Sequence, residues 1–223
     1  MRLNPITVVA GLAVSVIALP VEPVRGPNGI TSIEARGELP GLSGSIENGI
    51  KENDGCHPLT LIFARGTAEL GNMGSIIGPP LAQELRNLLD GKITIQGVNY
   101  PASVLGNLVF GAAGAPIMID LIHQSLSQCP HSKVVLAGYS QGASLIHVAT
   151  RSLEDGQVTA AVLFGDPLVD TPLESIEEDK VKSICREGDP VCQNGLNFGA
   201  HLTYGETAAE AAAFLVQAAS KKY

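Results

Sequence analysis

The sequence is short of positive charge. Among its 223 residues, 14 are Lys or Arg against 22 Asp or Glu, for a formal net charge of -8. A field of that sign repels phosphate backbones and anionic headgroups, so nucleic acid is excluded as a partner and neutral substrates are favoured. No run of 18 apolar residues occurs, so no stable membrane anchor is expected. The four cysteines include no C-x-x-C pair and no Cys/His spacing of the metal-binding kind, so neither zinc nor a redox dithiol is signalled. Internal repeats and N-x-[ST] acceptors are also missing.

What is present begins with a leader. Arg2 precedes a largely apolar run over residues 6–17, broken by Thr7, Gly11 and Ser15, with Val16 and Ala18 at its end. This pattern predicts a secretory signal peptide over residues 1–18 and a secreted, extracellular protein. Residues 19–54, rich in Pro, Gly, Glu and Ser, read as a pro-segment or flexible arm. Residues 55–223 suit one compact domain. In an exported chain, Cys56, Cys129, Cys185 and Cys192 imply two disulfides. Three connectivities are open, and the closeness of Cys185 to Cys192 favours pairing them, which leaves Cys56 with Cys129. On the chain-entropy argument the short loop contributes roughly 2 to 3 kcal/mol and the long one about 4.

From Pro58 onward, apolar runs alternate with helical patterns. Runs over 59–64, 93–98, 133–137, 158–164 and 180–185 read as strands. Helical stretches are expected after Pro79-Pro80, with Leu81, Leu85, Leu88 and Leu89 on one face, and over 115–128, 140–153 and 206–219. Alternation of this kind predicts a five-stranded, mostly parallel sheet with helices on both faces, an α/β fold.

Gly138-Tyr139-Ser140-Gln141-Gly142 lies directly after one such strand and directly before a helix. A G-x-S-x-G in that context is a nucleophile elbow, whose tight turn leaves no space for a Cβ at either flank. The serine needs a histidine to take its proton and a carboxylate to orient that histidine, in the chain order Ser, acid, His. Only His147 and His201 follow Ser140. Of these, His147 lies two helical turns along, about 10 Å away, which leaves His201. His57, His123 and His131 precede the serine and read as structural or exposed. Asp166 and Asp189 both qualify as the acid. Asp189 is favoured because a loop clamped by Cys185 and Cys192 would hold it rigidly, whereas Asp166 reads as a turn residue before Pro167. Oxyanion donors are expected from the Gln141 N–H and from Thr67 in the loop 64–72; the competing view of that loop is a plain turn with Arg65 and Glu69 as solvated charges.

The segments 63–72, 96–98, 138–143, 185–192 and 201–205, in this order and with the cysteines in register, resemble fungal cutinase from about Gly55 onward. The resemblance implies a small α/β-hydrolase without a large lid, disulfides Cys56–Cys129 and Cys185–Cys192, a Ser140, Asp189, His201 triad, and an oxyanion hole of Thr67 and Gln141. It also implies that Asn107 steadies the oxyanion side chain. One departure is Thr67-Ala68, where the family often has Ser-Thr; the hydroxyl is kept. Apolar residues Leu105, Val109 and Phe110, with Leu196 and Phe198, fall where the family has its substrate lips, though ordinary packing would also use them.

The expected activity is therefore that of a serine carboxylic-ester hydrolase, a cutinase acting on a polyester or lipid-like ester as a monomer, with no metal or organic cofactor. The alternatives are an acetylxylan esterase, or a secreted binding protein that keeps the scaffold without turnover.

Overall fold

The computed structural model describes residues 44–220. The leader over 1–18 and most of the arm over 19–54 lie outside the described residues. In chain order the elements are α1 (Gly49–Glu52), β1 (Leu59–Ala64), α2 (Gly78–Leu88), β2 (Ile93–Gly97), α3 (Ala115–Gln128), β3 (Lys133–Tyr139), α4 (Gln141–Thr150), β4 (Ala160–Phe164), β5 (Val181–Ile184), α5 (Phe198–His201) and α6 (Ala208–Ser220). The sheet order is β2-β1-β3-β4-β5, every pairing parallel.

The period of two along a strand divides the core into two layers. Leu59, Leu61 and Phe63 of β1 join Val135, Ala137, Val162 and Phe164 against Leu81 and Leu85 of α2 and Ala211 and Leu215 of α6. Their neighbours Ile62 and Ala64 point the other way. With Val134, Leu136, Ala161 and Leu163, these meet Met118 and Ile122 of α3 and Leu145, Ile146 and Ala149 of α4. Because both faces are covered, β1, β2 and β4 are buried throughout, and β1 and β4 read as unbroken apolar or β-branched runs rather than alternating ones. Leu88, expected on the packed face of α2, is half exposed at the helix end.

The last residues of the expected arm are not loose. Ser45 O accepts the Asn72 and Met73 N–H groups. Asn72 Nδ2 donates to Glu47 O at 2.9 Å, and its Oδ1 accepts the Glu47 N–H at 2.9 Å. Asn48 bridges Gln96 of β2 in an antiparallel sense, and Ile50 is buried. A boundary at residue 55 therefore separates a packed strap from the strands and loops that hold it. Composition suggested mobility because these bonds are main-chain and long-range, and neither shows in residue type.

Two disulfides close the structure, Cys56–Cys129 and Cys185–Cys192. The first ties the entry to β1 to the end of α3. The second closes the loop after β5, at the carboxyl ends of the strands where open α/β sheets place their sites.

Candidate active site

Ser140 stands between the end of β3 and the start of α4 with φ 53° and ψ -116°, a left-handed conformation that side chains with a Cβ seldom adopt. Its surroundings hold it there. A Cβ on Gly138 would overlap the Gly142 carbonyl, and one on Gly142 would overlap the Ala64 carbonyl, so both glycines of the motif are sterically required. The Ser140 N–H donates to Phe164 O at 2.9 Å, tying the turn to the end of β4. A serine before a helix ordinarily accepts an N–H from the first turn. Ser140 makes no such bond, so its partly exposed hydroxyl is not consumed in capping.

The residue after Phe164 touches the histidine. Gly165 has φ +52°, and a Cβ there would lie 2.8 Å from His201 Cε1, so the imidazole packs directly on the chain beside the Ser140 turn. Tyr139, immediately before Ser140, holds the same histidine from another side. Its hydroxyl donates to His201 O at 2.6 Å, and the two rings stand 5.0 Å apart. His201 Nδ1 lies 2.7 Å from Asp189 Oδ2.

Asp189 is fully buried and accepts three hydrogen bonds. Tyr204 Oη donates to Oδ2 at 2.6 Å and the Val191 N–H to Oδ1 at 2.7 Å, beside the bond from His201. Burial by itself raises the carboxyl, but the donors from Tyr204, His201 and Val191 outweigh it and hold Asp189 below the usual carboxylate range. An ionised carboxylate only accepts. The shared proton therefore sits on His201 Nδ1, and in the neutral ring Nε2 is the nitrogen with a lone pair.

The loop after β1 is built around two charges bound to main-chain groups, Arg65 buried and Glu69 partly so. Arg65 is buried; its Nε donates to Glu69 O at 2.9 Å and its Nη2 to Tyr100 O at 2.7 Å. The Glu69 carboxylate accepts the N–H groups of Gly66, Ser75 and Ile76 at 2.7, 2.8 and 3.0 Å. The plain-turn view of Arg65 and Glu69 is thereby overturned: both charges are internal ties of the loop. Thr67 lies between them in the chain. Its hydroxyl donates to Asn107 Oδ1 at 3.0 Å and accepts from Gln141 Nε2 at 3.3 Å, while Gln141 Nε2 also reaches Asn107 Oδ1 at 2.7 Å and Ser103 O at 2.8 Å. The Gln141 N–H opens α4 and has no carbonyl one turn earlier to bind.

Two apolar rims adjoin these groups. The 3-10 segment Val104–Val109, followed by Phe110, is tied to the elbow by the Gln141 side chain. The other rim, from Leu196 to Leu202, carries His201 itself. Leu105, Val109, Phe110, Leu196 and Phe198 are 75, 53, 46, 98 and 72% exposed, which rules out their use as core. Val104, Leu108 and Leu202 extend the same surface.

His147 sits apart. Its Nε2 lies 2.8 Å from Asp166 Oδ2, with both side chains buried, and Asp166 Oδ1 accepts the Leu168 N–H at 2.9 Å. Asp166 thus turns the chain after β4 and binds a different histidine. Among the described residues no group of three or more His, Cys, Asp or Glu is gathered for a metal.

A family model described as cutinase matches residues 55–219. The chain belongs to the cutinase family. It is 50% identical over 182 residues to cutinase 4 of Emericella nidulans, covering 81% of each chain. The Trichoderma reesei cutinase bound to a C11Y4 phosphonate inhibitor superposes with a TM-score of 0.72 at 37% identity, covering 79% of this chain and 81% of that one. An acetylxylan esterase superposes at 0.62 and 26% identity, covering 74% and 100%. This cutinase-family chain is a serine esterase of the α/β-hydrolase fold, a carboxylic-ester hydrolase.

The sequence assigns neither Tyr204 nor Glu69 a role at the site. Glu69 left one signal, a carboxylate inside a Gly-rich turn with several main-chain N–H groups near in sequence. Tyr204 left none, since its partner Asp189 is fifteen residues away across a disulfide loop.

Proposed function

We propose that this serine esterase hydrolyses the aliphatic polyester cutin outside the cell, with Ser140, His201 and Asp189 as its triad. His201 Nε2 takes the Ser140 proton as Oγ attacks the ester carbonyl. The N–H groups of Thr67 and Gln141 receive the negative charge that develops on the carbonyl oxygen. Collapse breaks the ester C–O bond, and His201 returns the proton to the departing alcohol. A water then gives its proton to His201 and attacks the acyl-enzyme, which releases the carboxylic acid and restores Ser140. The observation that carries this reading is the 2.7 Å bond between His201 Nδ1 and the buried Asp189 carboxylate, made by a ring that packs on the residue beside the Ser140 turn.

The exposed rims favour an apolar chain or waxy surface over a sugar polymer. All three triad groups come from one chain, which suits a monomer. The leader pattern and two disulfides suit export to an oxidising compartment.

The test is hydrolysis of p-nitrophenyl butyrate by the purified protein and by Ser140→Ala. A fall of about 10⁴-fold or more in kcat is expected, and equal activity in the two would refute the assignment. Release of acids from cutin but little acetate from acetylated xylan is expected; the opposite preference makes the enzyme an acetylxylan esterase.

A further inference from the structure

Tyr204 is fully buried at the start of the 3-10 turn Tyr204–Thr207, and its hydroxyl shares one oxygen with the histidine. Asp189 Oδ2 accepts from Tyr204 Oη at 2.6 Å and from His201 Nδ1 at 2.7 Å, while Oδ1 is engaged by the Val191 N–H. The Arg186 N–H donates to Tyr204 Oη at 3.1 Å. That bond occupies a lone pair of the hydroxyl and directs its proton to the carboxylate. The ring is wedged by Phe164, Tyr139 and His201, with centroids 6.1, 5.7 and 5.9 Å away. A phenylalanine would fill the same space, so packing does not explain the oxygen.

We infer that Tyr204 is a positioning residue of the hydrolysis: its hydroxyl fixes the direction of the Asp189 carboxylate and limits how strongly Oδ2 draws on the imidazole. The inference rests on the triad reading given above. A carboxylate oxygen that already accepts a phenol hydrogen is a weaker acceptor toward a second donor. Without the Tyr204 hydroxyl, the charge on Oδ2 acts on His201 alone and the protonated imidazole gains stability. Its proton then passes less readily to the leaving alcohol. The carboxylate is also left with the Val191 N–H as its one remaining fixed tie.

The charged and titratable groups facing this cluster come from four directions. They are Tyr139 at the end of β3, with Glu69 of the β1–α2 loop acting on it; Arg186 after β5, itself paired to Glu206 at 2.7 Å; His201 in α5; and Tyr204. Tyr204→Phe leaves all the others in place, so a change in the pH profile reports on the removed hydroxyl.

The experiment compares Tyr204→Phe, Ser140→Ala and the unsubstituted protein on p-nitrophenyl butyrate between about pH 4 and about pH 9, a range that brackets histidine titration. In Tyr204→Phe, kcat is expected to fall about tenfold with KM changed less than about twofold, and the acid limb of kcat/KM to move about half a unit toward higher pH. An unmoved acid limb, whether or not stability drops, reduces Tyr204 to packing and overturns the inference while an inactive Ser140→Ala leaves the triad standing. Activity in Ser140→Ala overturns the triad itself. Should Tyr204→Phe fail to fold, proton NMR of the unsubstituted protein decides. A slowly exchanging phenol proton close to the His201 Nδ1 proton is expected, and its absence overturns the shared-oxygen arrangement.

Discussion

Two histidines in this protein bond to aspartates at nearly the same distance, His147 to Asp166 at 2.8 Å and His201 to Asp189 at 2.7 Å. The bond is alike and the surroundings are opposite. His147 bonds through Nε2, and its Nδ1 is buried with no partner among the described residues; the pair joins the last turn of α4 to the turn after β4. His201 bonds through Nδ1, is 12% exposed in its side chain, and packs on Gly165, the residue after the carbonyl that accepts the Ser140 N–H. A histidine–aspartate contact is thus not itself a sign of catalysis. What separates the pairs is which nitrogen remains and whether a substrate can reach it.

The widest separation expected from this comparison is kinetic against thermodynamic. His201→Ala should lower kcat by about 10⁴-fold and, because it removes one of three donors to the buried Asp189 carboxylate, cost about 1 to 2 kcal/mol of stability. His147→Ala should leave the Asp166 carboxylate buried with one partner fewer and cost about 3 kcal/mol of stability, while kcat of the folded fraction stays within about threefold. Urea denaturation and ester hydrolysis on both variants decide, and the reverse pattern would exchange the roles assigned to the two pairs.

A smaller effect sharpens the acid side. Asp189 is held below its ordinary range in the folded state, so the stability it supplies is complete above the unfolded value, near pH 4, and is lost as pH falls toward the folded one. Asp189→Asn should accordingly show its largest stability deficit near neutral pH, shrinking as both proteins are acidified. Denaturation midpoints near pH 7 and near pH 3 test the sign, and a deficit that grows in acid contradicts it. The smallest expected change in folding stability belongs to the rims. Leu196→Ser with Phe198→Ser should alter stability by less than about 0.5 kcal/mol and spare p-nitrophenyl butyrate turnover, yet slow attack on an insoluble polyester. Equal loss on both substrates would assign these residues to the active centre rather than to the surface it works on.

Much of the fold was readable because burial on both faces of a parallel sheet writes itself as apolar runs. The strand over 59–64 and the helix over 115–128 begin and end where the pattern places them. Helix ends were harder. The pattern carried α4 on to residue 153, but the helix stops at Thr150, since fraying is settled by local bonds rather than by hydrophobic period. At the site, motif spacing led to Ser140, Gln141 and Thr67, and elimination led to His201. The choice between Asp166 and Asp189 rests on loop chemistry, and in the folded protein each has its own histidine. The strap over 45–54 was read as loose because its anchors, Asn72 and the Gln96–Gly97 edge of β2, lie far along the chain.

The amino-acid order alone determined a parallel α/β sheet, an elbow that needs both of its glycines, and a chain of net negative charge. These are local or periodic properties, carried by neighbours a few residues apart. Tertiary structure decided which aspartate meets which histidine, which ring nitrogen is left free, and that Tyr204 shares the oxygen of Asp189. Each of those depends on atoms brought together from distant parts of the chain, and bond directions between such atoms are fixed by packing rather than by sequence spacing.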